Sequence, residues 1–352
     1  MVAYVTDVID SVRTQVLLAA EKLAAGEVTG LPTETVYGLA ADAANPSAVR
    51  EIFTIKNRPS THPLITHIAA DADIGYWIDA ARMSEEMWRL TRALMAAFFP
   101  GPLTLVLPKH PQIEATVTGG QNTIALRSPN HVLFQDVLAQ LAVLKNTQNV
   151  GIAAPSANRF GRVSPTRAAH VREEFEHAVW VLDGDASVIG IESTIVDLTS
   201  GVPRILRFGH ITPQDIERVT GVTPILPENA GDAPRVSGSL LAHYAPSTPM
   251  MWLDELAPED WAKGAGLVYS ERSEYSEAQG RVMRLSANPH EYARGLYHAL
   301  RQLDTWGVTR IAVERLPDDA AWDAVRDRLN RAIVGSNLPS SAPIHLTKEY
   351  HE

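Results

Sequence analysis

The chain contains no cysteine among its 352 residues. That absence excludes disulfides, thiolate zinc sites, iron–sulfur clusters and a thiol nucleophile together. No apolar run approaches the roughly 20 residues needed to span a bilayer. The N-terminal Met1-Val2-Ala3-Tyr4-Val5-Thr6-Asp7 carries an acid where a secretory signal needs bases. The expected location is cytoplasmic, with no membrane contact. Positive charge is scarce as well: 31 Lys and Arg stand against 41 Asp and Glu, a formal net charge of -10. This argues against a surface built for non-specific nucleic-acid binding but leaves room for a local basic pocket. Several catalytic signatures are missing: Gly-x4-Gly-Lys-Ser/Thr, Gly-x-Gly-x-x-Gly, His-Glu-x-x-His and Gly-x-Ser-x-Gly. If nucleotide is bound, side chains must do much of the work that a glycine loop does elsewhere.

Hydrophobic residues make up 45% and charged residues 20%, as in a soluble globular protein long enough for two domains. Three- and four-residue apolar steps predict helices over 7–25, 46–56, 83–98, 132–144 and 166–175. Strands are expected at 28–31, 64–68, 103–107, 122–127, 150–154, 179–183, 193–197 and 204–207. Gly38-Leu39-Ala40 reads as the start of a helix. Thr212-Pro213-Gln214-Asp215 opens another, with a cap residue followed by proline. From 222 to 249 the chain is dense in Pro, Gly, Ser and Ala without helical period, as an interdomain linker is. Beyond it, strands at 266–269, 281–285 and 310–313 alternate with helices at 288–306 and 320–333, the pattern of a small parallel α/β domain. The expected division is a catalytic domain over 1–221, a linker or lid over 222–249, and a small domain over 250–352.

Polar clusters stand at strand ends or in the turns after them: Thr33–Thr35, Lys56–His67, Thr123–Arg127, Ser156–Asn158, Glu192–Thr194 and Arg207. Ligands of α/β proteins lie beyond strand ends, so convergence on one cleft is expected. Lys56 and Arg58, two apart in a non-helical turn, can both reach one polyphosphate, or be two solvated charges on a loop. Ser164 and Thr166 stand at a helix start, which suits either a phosphate or a simple cap. Glu192-Ser193-Thr194 reads equally as a routine edge segment, and Arg207 as a surface arginine. His243-Tyr244-Ala245-Pro246 is either a lid or a packed anchor for the linker. His110, His131, His170 and His298 have no partner at metal-ligand spacing.

Taken in order, Leu31-Pro32-Thr33-Glu34-Thr35-Val36-Tyr37-Gly38-Leu39, Lys56-Asn57-Arg58-Pro59, Phe99-Pro100-Gly101-Pro102-Leu103-Thr104, Pro155-Ser156-Ala157-Asn158, Ser164-Pro165-Thr166, Glu192-Ser193-Thr194-Ile195 and Arg207-Phe208-Gly209 resemble the threonylcarbamoyl-AMP synthase family. The likeness to its YrdC-type domain covers about 10–220, and the tail looks like the extra domain of the two-domain form. The fold this implies is α/β: a YrdC-type twisted open sheet with flanking helices, plus a smaller Rossmann-like α/β C-terminal domain. The implied reaction joins L-threonine, bicarbonate (or CO2) and ATP, taken with Mg²⁺, into L-threonylcarbamoyl-AMP and pyrophosphate. Partner transferase proteins then pass the threonylcarbamoyl group to tRNA. Thr35, His67, Arg127, Ser156 and Ser193 fall where the family holds threonine. Lys56, Arg58, His62, Thr123, Asn158, Thr166, Arg207 and Tyr244 fall where it holds nucleotide, with Lys56 and Arg58 the catalytic candidates. No protein-held metal is implied. Position 62 is His where many relatives carry Asn, and Ser237–Ala242 lacks the basic residues common there. Two other readings are weighed: a carbamoyl-transfer enzyme of hydrogenase maturation, whose cysteine-rich zinc fingers this chain lacks, and a non-catalytic RNA-binding module, disfavoured by the net charge.

Overall fold

The structure, a computed structural model, describes residues 2–229, 232–271 and 281–338. Two residues of the expected linker (230–231), and 272–280 and 339–352 of the expected small domain, lie outside the described residues.

The first module is built on nine strands: β1 (Thr29–Leu31), β2 (Gly38–Asp42), β3 (Ile65–His67), β4 (Leu103–Pro108), β5 (Thr123–Arg127), β6 (Ile152–Ala153), β7 (Trp180–Val181), β8 (Thr194–Asp197) and β9 (Arg204–Arg207). Their order is β7-β1-β2-β6-β3-β5-β4-β8-β9. The sheet is mixed: β1–β7, β3–β5 and β4–β8 run parallel, and the other neighbours antiparallel. Seven helices accompany it: α1 (Val2–Ala24), α2 (Pro46–Lys56), α3 (Glu85–Phe98), α4 (Ala115–Thr118), α5 (Val132–Lys145), α6 (Ala168–Glu174) and α7 (Pro213–Thr220).

Side chains of a strand alternate between faces, and β2 shows the consequence. Leu39 and Ala41 join the core with Val49 and Ile52 of α2 and Leu90 of α3. Ala40, between them, packs with Ala20 of α1 and Phe134 and Leu138 of α5. The sheet is thus covered on both faces. This corrects the reading of Gly38-Leu39-Ala40 as a helix start. A strand buried on both faces shows no polar alternation, so a small apolar run gives periodicity nothing to detect.

Local chemistry sets the helix ends. The Asn45 side chain accepts hydrogen bonds from the amides of Ser47 and Ala48 to cap α2, and Pro46 occupies its first position. Asn57, left-handed at φ 51°, ends the helix with its N–H on the carbonyls of Phe53 and Thr54. Lys56 is therefore the last helical residue rather than part of a non-helical turn, and Arg58 leaves in a new direction. At α7, Thr212 and Asp215 form a reciprocal capping box.

The second module has strands β10 (Met250–Trp252), β11 (Ala265–Val268), β12 (Arg281–Arg284) and β13 (Ile311–Val313). They lie in the order β10-β13-β11-β12, all parallel, with α8 (Pro289–Asp304) and α9 (Asp323–Ser336). β10 was not expected; it is three residues long at the sheet edge. Tyr292, Leu296, Leu300 and Leu303 of α8 are buried as their spacing predicts. Helix α8 packs on Gly190 of the first module, where φ is +84° and a Cβ would lie 2.5 Å from the Arg294 Cα. The segment between the modules is not plain coil: Ile225 bridges to Arg204 and Ala245 to Arg162. No helix among the described residues is long and apolar enough to cross a membrane.

Candidate active site

A cavity opens where the connection after β1, the ends of β3, β5 and β9, the turn after β6, the residue before β8 and the linker meet. Of the expected site residues, Thr35, His67, Arg127, Ser156, Ser193, Arg207 and Tyr244 line it. The sheet order explains the meeting: β6 lies between β2 and β3, so the turn after it reaches the β1–β2 connection. There Leu39 N–H donates to the Pro155 carbonyl at 2.8 Å and Ala157 N–H to the Tyr37 carbonyl at 2.8 Å.

On one wall, Thr33 Oγ1 donates to the Val36 carbonyl at 2.6 Å. Its single proton is thereby used, so Thr35 Oγ1 donates to Thr33 Oγ1 at 2.8 Å. Thr35 Oγ1 also accepts from Arg127 Nη1 at 2.9 Å. Arg127 Nε donates to the Gly101 carbonyl at 3.1 Å, and its Nη2 lies 2.7 Å from Glu34 Oε1 in a buried ion pair. His67 stays neutral: burial, then the neighbouring Arg127, push its pKa down to about 3.

On the opposite wall, Arg207 donates to the Ser193 carbonyl and Oγ, each at 3.0 Å, and to the Ser237 carbonyl at 3.0 Å. Ser193 Oγ also meets Thr104 Oγ1 at 2.8 Å. Arg58 donates to the Pro63 carbonyl at 2.9 Å and to Ser237 Oγ at 3.4 Å, with its guanidinium 5.8 Å from the Phe160 ring centre. Burial, then Arg207, lower its pKa to about 10. Lys56 Nζ donates to the Ser156 carbonyl at 2.6 Å and to that of Asn158; burial, then Arg58, hold its pKa well below the lysine range. The hydrogen-bond partners of these three buried cations are carbonyls and hydroxyls. Such a cluster is costly when empty and suits a polyanion.

The linker closes this side. Gly238 sits at φ +80°, and a Cβ there would stand 2.4 Å from Tyr244 Oη and 3.3 Å from Arg207 Nη1, so only glycine allows that approach. Tyr244 is left-handed at φ 62°, and its buried hydroxyl has no protein partner. Glu192 also lines the cavity. It accepts hydrogen bonds from Ser164 Oγ at 2.5 Å, Tyr297 Oη at 2.8 Å and Arg328 Nε at 2.9 Å. Burial alone would raise its pKa; Arg328 and then Arg207 outweigh that and hold it at about 2.

The remaining expected residues are placed differently. Lys56 and Arg58 stand behind the wall, one tied to the Ser156 turn and the other to Ser237. Asn158 donates to the carbonyls of Arg159 and Arg162 at 2.7 and 2.9 Å, while its Oδ1 is buried without a partner. Thr123 lines a neighbouring cavity that shares Ile65 and Ser237 with the first. His62 packs edge-on against Phe160 at 5.4 Å, and Thr166 donates its amide to His170 Nδ1 at 3.2 Å; neither lines these cavities. His170 and His298 stack at 5.4 Å across the modules. Sequence reasoning missed the roles of Glu34 and Ser237, which sit inside stretches it singled out. It missed Tyr297 and Arg328 outright, because a polar residue on an amphipathic helix carries no local sign of a distant partner.

Residues 21–209 match the family described as Sua5_yciO_yrdC, telomere recombination, and residues 211–333 match the threonylcarbamoyl-AMP synthase C-terminal domain. Threonylcarbamoyl-AMP synthase of Pyrococcus abyssi is 35% identical over 335 residues, covering 90% of this chain and 94% of the relative. That of Bacillus subtilis is 36% identical over 353 residues, covering 94% and 96%. The crystal structure of P. abyssi Sua5 complexed with L-threonine superposes with a TM-score of 0.80 at 33% identity, covering 92% of this chain and 95% of that one. Both modules, in their order, are accounted for: the chain belongs to the threonylcarbamoyl-AMP synthase family.

Proposed function

We propose that this chain is an L-threonylcarbamoyladenylate synthase, joining L-threonine, bicarbonate or CO2, and ATP into L-threonylcarbamoyl-AMP with release of pyrophosphate. Family membership supports the reaction. The observation that carries it to this chain's residues is the cavity, where Thr35, Arg127, Ser193 and Arg207, far apart in sequence, face one volume. Threonine occupies the Thr35–Arg127 side, near His67, Ser156 and Ser193. ATP lies toward Arg58, Lys56 and Arg207, with Asn158 and Tyr244 beside it and Thr123 in the adjoining cavity.

The amine nitrogen of threonine forms a bond to carbon dioxide and loses a proton. The carbamate oxygen then bonds to the α-phosphorus as the α–β anhydride breaks and pyrophosphate leaves. No protein nucleophile is needed. What the chain supplies is placement of two small reactants beside ATP and exclusion of water from a short-lived carbamate. The buried cations offset charge on the phosphates. Mg²⁺ enters with ATP, as part of the nucleotide substrate. The product goes to transferase proteins that modify tRNA, in the cytoplasm. Pure protein with Mg²⁺ and ATP is expected to release pyrophosphate only when threonine and bicarbonate are both present; no such release rejects the reading.

A further inference from the structure

Every residue given a substrate role above belongs to the first module or the linker. Two side chains of the second module, Tyr297 and Arg328, nevertheless reach Glu192 and Tyr244, which line the cavity. We propose that Arg328, on α9, is a positioning residue for the reaction: its guanidinium fixes Glu192 and Tyr244, and with them the wall that the linker closes. This rests on the proposed synthase reading.

Arg328 is 0% exposed and lines none of the cavities described above. Its groups divide among four neighbours. Nε donates to Glu192 Oε2 at 2.9 Å, Nη2 to the Phe208 carbonyl at 2.9 Å and Nη1 to Asp327 Oδ2 at 2.8 Å. The face of the fork lies 5.0 Å from the Tyr244 ring centre. Tyr297 of α8 assists, donating to the same Glu192 oxygen at 2.8 Å and stacking on Tyr244 at 5.7 Å. Both cavity-lining groups are therefore held from behind by this one planar cation. Only a guanidinium can serve in-plane acceptors and a ring face at once.

The second module does not need this charge for its own core. Leu296, Leu300, Leu303, Val325 and Leu329 supply that, and a buried ion pair is commonly no more stable than an apolar replacement. What an apolar residue cannot do is fix the carboxylate and the ring. Tyr244 gains nothing from its own hydroxyl, which has no protein partner, and its left-handed backbone at φ 62° is disfavoured without outside support.

The test uses the full chain as wild type, R328K and Y297F. Lysine keeps the charge and can reach Glu192, but it cannot also hold the Phe208 carbonyl and lie over Tyr244. Hydrogen–deuterium exchange over 240–249 reports the wall, and steady-state pyrophosphate release reports the chemistry. In R328K, protection over 240–249 is expected to fall while α8 and α9 keep theirs. kcat/KM for ATP is expected to drop about 10- to 100-fold, with the KM for threonine within about threefold. If R328K does not fold, Y297F decides the matter, with a drop of about 5-fold at unchanged Tm. Unchanged exchange, or an exchange change without loss of rate, overturns the proposal. So does loss of protection throughout α8 and α9 with both KM values unmoved, which is the signature of a merely structural role. If wild type itself releases no threonine-dependent pyrophosphate, the synthase reading fails, and the exchange of R328K still decides whether Arg328 fixes the wall.

Discussion

Replacing Arg58 with methionine is expected to stabilise the free protein while disabling it. The guanidinium is buried, and its pKa falls from the usual arginine range to about 10 because of burial and then Arg207. At about 1.4 kcal/mol for each tenfold change in proton affinity, keeping it charged costs the fold about 3 kcal/mol. The folded value lies below the unfolded one, so for a base this cost is fully present below about pH 10, including the neutral range. Against it stand hydrogen bonds to the Pro63 carbonyl and to Ser237 Oγ, worth about 1 kcal/mol each. Methionine keeps the stem volume and the contact with Phe160. The net gain is about 1 kcal/mol, a rise in Tm of roughly 2 °C. Activity moves the other way. A charge-assisted contact to phosphate contributes about 1.5–3 kcal/mol, so kcat/KM for ATP should fall on the order of 10- to 100-fold. Thermal unfolding of the free protein by circular dichroism and pyrophosphate release read the two effects separately. A variant that loses more than about 4 °C, or keeps the wild-type kcat/KM, would refute the assignment of Arg58 as a cation held for a phosphate.

Two further outcomes follow from the same geometry. Ser193→Ala removes an acceptor of Arg207 and the partner of Thr104, and should raise the KM for threonine about 10-fold with a smaller change in kcat; an unmoved KM in steady-state assays removes Ser193 from the threonine site. Stability should fall on acidification. His67 and His243 are both pushed from 6.5 to about 3, first by burial, so the fold prefers them neutral. That contribution is complete above about pH 6.5 and lost as pH falls toward 3, at about 1.4 kcal/mol per pH unit for each ring. His67→Gln should flatten the fall in stability between pH 6 and pH 4 by one ring's share, and an unchanged slope in pH-dependent denaturation would show that His67 is not held neutral.

The sequence alone determined where amphipathic helices lie, because a three-to-four spacing such as Tyr292, Leu296, Leu300 and Leu303 reports a buried face directly. It also singled out the polar stretches at strand ends from which Thr35, His67, Arg127, Ser156, Ser193 and Arg207 come to line the cavity, and where composition changes between the modules. It misread Gly38–Asp42, since burial on both faces erases alternation, and it did not register the three-residue β10. Only the tertiary structure decided that β6 inserts between β2 and β3, carrying Ser156 to Thr35, and that Arg328 reaches back to Glu192. The reason is physical. Periodicity along a chain records which side of an element avoids water, whereas the identity of its neighbour depends on strand pairing and packing summed over the whole molecule, where no residue's local spacing carries the answer.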